Sequence, residues 1–181
     1  MQRPIIGYHK DDVGDWVAEL SCGHGQHVRH KPPFTLRPWV QSEAGRDSMR
    51  GALLDCVRCN RLELPPGAVA YRRTAEFDAD TLPAGLRAHH STKVGVWGVI
   101  HVLSGQLRYV LDGLDGRELL LTPTQPGIIA PELLHHVVPD GPVRFYVEFH
   151  RVATSPTGAA DPTPVGPTPV SSKGFFRATC S

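Results

Sequence analysis

The sequence predicts a mainly β chain in which a small zinc-stapled N-terminal module precedes a β-barrel. Three observations carry that expectation. Strand-like runs recur every ~8 to 12 residues from Val69 to about Arg151, with Gly, Pro and Asp between them and no long helical period. Cys22-x-His24 and Cys56-x2-Cys59 supply two ligand pairs in a segment with few large apolar side chains. From Thr154 onward Pro, Thr, Ser and Gly dominate, which leaves too little apolar surface to offset the entropy of ordering.

Taken in order, "IIGYH" and "WVAEL" read as two strands joined by a turn in "KDDVGD". A short helix is expected from about Glu43 to Arg50, with Ser42 as N-cap and Gly51 as terminator. "LLDCVRCN" reads as an extended lead into a cysteine turn, and "ELPPGAV" carries the Pro and Gly of a boundary. Strands follow near "VAYRRTAEF", "VWGVIHVL", "QLRYVL", "RELLLT", "GIIA" and "VRFYVEF". The expected organisation is a zinc module over 1–62, a linker at 63–67, a barrel over 68–152 and a disordered tail over 153–181.

A chain of 181 residues with net charge +1 has no single-sign field that would recruit nucleic acid or anionic lipid. No apolar run approaches the ~18 residues of a membrane span, and the first residues lack the pattern of a signal peptide. The expectation is a soluble cytoplasmic protein with no membrane partner. Basic residues such as Arg29, Lys31 and Arg37 are interleaved in the module with Asp11, Asp15 and Glu43, so a solvated surface is favoured over a nucleic-acid interface. An adaptor role for the module, binding nucleic acid or protein, stays as an alternative.

Three thiolates and one imidazole suit tetrahedral Zn²⁺, and so thiolate-rich a set points to a structural ion. Cys22, Cys56 and Cys59 are the expected sulfur ligands. His24 is preferred as the fourth because a one-residue gap closes on the same turn; His27 is the alternate, and His30 comes after it. In the barrel, alternation along Trp97 to Leu103 places His101 on the face of Trp97, Val99 and Leu103, which is expected to point inward. Glu148 shares its strand face with Arg144, Tyr146 and His150, and the apolar face of Phe145, Val147 and Phe149 turns it outward.

The pair "VLSGQLRYV" and "PGIIAPELLHH" resembles the two half-motifs of the cupin superfamily, whose fold is a double-stranded β-helix or jelly-roll barrel. More closely, "HSTKVGVWGVIHVLSGQLRYV" with the later "EFH" resembles the cupin-like domain that precedes the methyltransferase in some TehB tellurite-resistance proteins and stands alone in the YeaR family. The likeness spans about Ala68 to Arg151. Residues 1 to 62 resemble an uncharacterised bacterial family with the same cysteine and histidine pattern, which implies no function.

The resemblance implies His90 and His135 as pocket histidines, with His101 and Glu148 as further candidates and Lys93 and Trp97 shaping the pocket. Such a set would suit a second divalent metal of unstated identity. The H-x-H and nearby Glu of the usual cupin ligand set are absent, as is any methyltransferase domain. His89, His136 and His150 are read as surface groups or as supports to the pocket. The functions kept open are a small-molecule or oxyanion-binding stress accessory, whose barrel would pair as a homodimer, and a metal-dependent, oxygenase-like enzyme using the barrel histidines.

Overall fold

The computed structural model describes residues 1–152. The expected disordered tail, 153–181, lies outside the described residues. Among the described residues no helix is long and apolar enough to cross a membrane.

The first sheet is built from β1 (Gln2–Lys10), β2 (Trp16–Leu20) and β3 (Gly25–His27), with β4 (Leu53–Asp55) returning along the far side of β1 in the order β3-β2-β1-β4. All of its pairings are antiparallel. The β1–β2 turn forms because the Asp11 carboxylate accepts from the Val13 and Asp15 backbone N–H groups while Gly14 takes φ +87°, the left-handed region open to glycine. Between β3 and β4 lie a 3₁₀ turn at Pro38–Gln41 and α1 (Glu43–Ser48). The Ser42 hydroxyl accepts from the Gly45 N–H, so the cap read from the sequence is the cap in the fold. A single turn of helix, α2 (Val57–Asn60), follows β4.

The second unit holds β5 (Ala68–Arg73), β6 (Phe77–Asp78), a helical turn α3 (Ala84–Arg87), β7 (Trp97–Ser104), β8 (Leu107–Leu111), β9 (Arg117–Leu121), β10 (Gly127–Ile129), β11 (His136–Pro139) and β12 (Arg144–Val152). One sheet runs β10-β7-β12-β5, with β6 also on β12, and the other runs β11-β8-β9. Together they make a half-barrel, and the protein is mainly β as its sequence predicts. Ile100, Val102, Phe145 and Val147 of the β10-β7-β12-β5 sheet are buried in one core with Leu107, Tyr109, Leu111 and Val137 of the β11-β8-β9 sheet. The Tyr109 hydroxyl donates to the Ile128 carbonyl at 3.2 Å and ties the two sheets together. Gly105 turns the chain from β7 to β8 at φ +77°; a Cβ there would stand 2.1 Å from the Pro142 carbonyl oxygen, so only glycine fits.

The two units share their interior. Ile5, Leu20, Cys22, Cys56 and Cys59 belong to the same buried cluster as Trp97 and the barrel residues. The buried Arg3 guanidinium crosses the seam, donating to the Pro131 carbonyl at 2.6 Å and pairing with Glu132 at 3.1 Å. The module is therefore packed onto the half-barrel along a wide seam, and the metal-ligand residues lie beside it.

Candidate metal centre

Two short chain turns bring four donors together. In the β2–β3 hairpin Leu20 N–H donates to the His24 carbonyl and Gly23 N–H to the Leu20 carbonyl, with Gly23 at φ +86°, so Cys22 and His24 are presented from one tight loop. Cys56 is held by its own N–H, which donates to the Met1 carbonyl, and Cys59 lies one helical turn on, in α2. His24 Nδ1 is 3.5 Å from the Cys22 sulfur, 3.4 Å from Cys56 and 3.6 Å from Cys59. The Cys22 and Cys56 sulfurs are 3.9 Å apart. A tetrahedral ion with ~2.3 Å bonds to sulfur and ~2.0 to 2.1 Å to nitrogen separates its ligands by about 3.8 Å (S to S) and about 3.6 Å (N to S). The donors thus stand near the corners of a coordination tetrahedron, and all four residues are buried.

The electrostatics of the cluster also call for a cation. Burial alone would discharge His24, but its contacts with Cys22 and Cys56 outweigh that and raise its pKa to about 9. Hydrogen bonds with Cys22 and Cys59 push the Cys56 thiol down, while those with Cys22 and Cys56 push Cys59 up, so anionic character concentrates on part of the set. A divalent ion would displace the remaining protons and satisfy every sulfur at once. The other two histidines of the segment are elsewhere: the exposed His27 pairs with Asp11 at 2.8 Å, and His30 Nδ1 accepts from the Arg37 backbone N–H.

Trp97 serves this centre rather than a barrel pocket. Its indole N–H donates to the Cys22 carbonyl at 2.8 Å, and its ring meets His24 at a T-shaped 5.3 Å. It is fully buried. Its position in the half-barrel makes it the side chain that registers the ligand hairpin against β7.

The histidines expected in the barrel do not gather into one set. His90 and His135 face each other with ring centroids 4.2 Å apart, and Tyr109 closes on His135 edge-on at 5.5 Å. His90 Nδ1–H donates to the Ala88 carbonyl and His135 Nδ1–H to the Leu133 carbonyl, which leaves Nε2 of both rings available to a ligand. Burial lowers the His135 pKa to about 4. His101 is on the opposite face of β7, a correction to the inward reading: Ile100 and Val102 enter the core, whereas His101 stacks on Tyr146 at 4.8 Å and lies 3.9 Å from Glu148. Glu148 pairs with His150 at 3.0 Å on that outer face, as its strand alternation predicts. Among the described residues no third cysteine, histidine or carboxylate completes a metal set with His90 and His135.

Lys93 lies in the seam instead. A cleft of about 1030 Å³ runs between module and half-barrel, with the Leu20–Gly25 loop as one wall and Lys93–Val96 with Arg151 as the other. Arg50, Lys93 and Arg151 bring three cationic side chains to it, Arg50 being paired with Asp47 at 3.0 Å, against the single acid Glu19, which is paired with His9 at 2.9 Å. Arg50 and Arg151 carry no sequence signal for this role, because they are brought to Lys93 only by the packing of one unit on the other.

Residues 72–147 match the TehB-like domain family, and residues 6–63 match a family described as a protein of unknown function, DUF3565. No curated protein matches the chain. Among solved structures, TehB from Haemophilus influenzae is similar at 25% identity with a TM-score of 0.45, over 48% of this chain and 32% of that one. A protein from E. coli (strain K12) is similar at 22% identity and a TM-score of 0.46, over 51% of this chain and 98% of that one. The chain thus spans about a third of the Haemophilus TehB it resembles.

Proposed function

We propose, for a chain that joins a DUF3565 module to a TehB-like domain, that it is a cytoplasmic binding protein for small anions, an accessory in resistance to a toxic oxyanion such as tellurite. Zinc is the ion that best suits three thiolates and one imidazole, and its role is structural, because the four protein donors leave no open position. The half-barrel is read as a cupin-like scaffold. The observation that carries the binding function is the seam cleft, where Lys93, Arg151 and an Arg50 already paired with Asp47 meet one acid, Glu19, itself paired with His9.

The loop carrying Cys22 and His24 is a wall of that cleft, so an anion held by Lys93 and Arg151 would rest against the zinc-bound hairpin. The test is thermal unfolding of the zinc-loaded chain with tellurite and, separately, sulfate. At an anion concentration 100 times Kd the folded state gains about 2.7 kcal/mol. Lys93→Glu should abolish that gain and leave the anion-free transition unchanged. An unshifted transition for both anions in the wild-type chain would refute the reading.

A further inference from the structure

Two His-His dipeptides, His89-His90 and His135-His136, meet across the half-barrel. His90 and His135 exchange both backbone hydrogen bonds at 2.9 Å, so they are directly opposite in an antiparallel pair. Neighbouring residues on a strand point to opposite faces. With the inner pair thus set, His89 and His136 are brought together on the outside, where their rings meet at 5.1 Å and 75°. Asp112 joins them from the end of β8: His136 pairs with Val110, Asp112 is two residues further along the same face, and the Gly113 N–H donates to the Leu134 carbonyl.

From this arrangement we propose that His89, Asp112 and His136 form a second, exchangeable site for a divalent transition metal, independent of the four-ligand cluster. Both imidazole Nδ1 atoms converge on one carboxylate oxygen, Asp112 Oδ2, at 2.9 Å from His89 and 2.8 Å from His136. All three donor atoms lie within 4.8 Å of one another. No lysine or arginine is within ion-pair distance of Asp112 among the described residues, so the two imidazoles are its partners. For both Nδ1 atoms to bind a dication, each ring carries its N–H on Nε2, and the dication takes the place of the two N–H donors as the partner of Asp112.

Two nitrogens and one carboxylate oxygen suit Zn, Ni, Cu or Fe(II), and three protein donors leave positions open for water or an added ligand. The Asp112 and His136 side chains are 16% and 20% exposed, whereas His89 is 64% exposed. The first two form a fixed seat and the third a solvent-facing arm, so an ion can enter and leave here as it cannot in the buried thiolate cluster.

The experiment is calorimetric titration of untagged, zinc-loaded full chain with Ni²⁺, with metal per chain read by elemental analysis after desalting. The wild-type chain should take up one nickel beside its retained zinc. His89→Ala and Asp112→Asn should each weaken nickel uptake at least tenfold while leaving zinc content and the melting transition unchanged; the exposed His89→Ala keeps the test valid should a change at Asp112 disturb folding. His90→Ala should leave uptake intact. No nickel uptake by the wild-type chain overturns the proposal, and so does uptake that survives both His89→Ala and Asp112→Asn or is lost in His90→Ala. Retained zinc is counted separately, so failure here is distinct from failure of the zinc or anion reading.

Discussion

Acidification should destabilise the fold through His135. The ring is 1% exposed and lies against His90 and Tyr109. Burial holds its pKa at about 4 in the folded chain, the bond to the Leu133 carbonyl offsetting only part of that effect, against the ordinary value of 6.5. Between those values the unfolded chain binds a proton that the folded chain refuses. Stability is therefore fully present above the unfolded pKa and is lost as pH falls through the folded one. A separation of about 2.5 units is worth roughly 3.4 kcal/mol in all, of which about 2.4 kcal/mol falls between pH 7 and pH 4.5. His135→Phe supplies the reference: it keeps an aromatic ring in the core but has no proton to bind. The cost of leaving the Leu133 carbonyl unpaired is the same at both pH values. Acid-linked changes at the thiolate cluster occur in both chains and cancel. Urea unfolding of the two proteins at pH 7 and pH 4.5 should show the wild-type chain losing about 2 kcal/mol more than the variant. Equal losses would refute the assignment of a neutral, buried His135.

Cys56→Ser should release the zinc and unfold both units in one transition, because the cysteines and the half-barrel residues share a single buried cluster. Calorimetry and elemental analysis check this, and a half-barrel that still melts cooperatively at the wild-type temperature would count against the shared core. Trp97→Phe removes the indole N–H from the buried Cys22 carbonyl and should cost about 1–3 kcal/mol of unfolding free energy with zinc stoichiometry unchanged. Chemical denaturation measures it, and an effect under ~0.5 kcal/mol would mean that the seam does not depend on that bond.

The strands were legible because turn residues and β-branched runs alternate along most of the chain, and the clustering of Cys22, His24, Cys56 and Cys59 was legible because they fall in two tight sequence pairs. What the sequence could not show is which surfaces the packed units cover. Alternation along β7 suggested one apolar face bearing Trp97, Val99, His101 and Leu103. The rule assumes a strand with one wet face, but Trp97 is covered by the module's Cys22 and His24, while Ile100 and Val102 fill the core on the other side. His101, beyond the reach of that cover, is left beside Tyr146 and Glu148. On that face Trp97 is covered, and it is the module that covers it.

The His-His dipeptides show how much depends on register alone. Each dipeptide has one inward and one outward ring in any extended pairing, and composition does not say which. The His90–His135 bridge decides it: those two rings turn inward, and the outer pair comes within reach of Asp112. A slip of one residue in both segments would bury His89 and His136 and bring His90 and His135 to the surface, and the same four histidines would then offer a different chemistry on each side of the sheet. The backbone exchange at 2.9 Å in both directions, with Gly113 bonded to Leu134 beside it, holds the register against that slip. The outer His89–Asp112–His136 cluster and the inner imidazole pair are thus two consequences of one pairing, and a variant that shifts the register must lose both together.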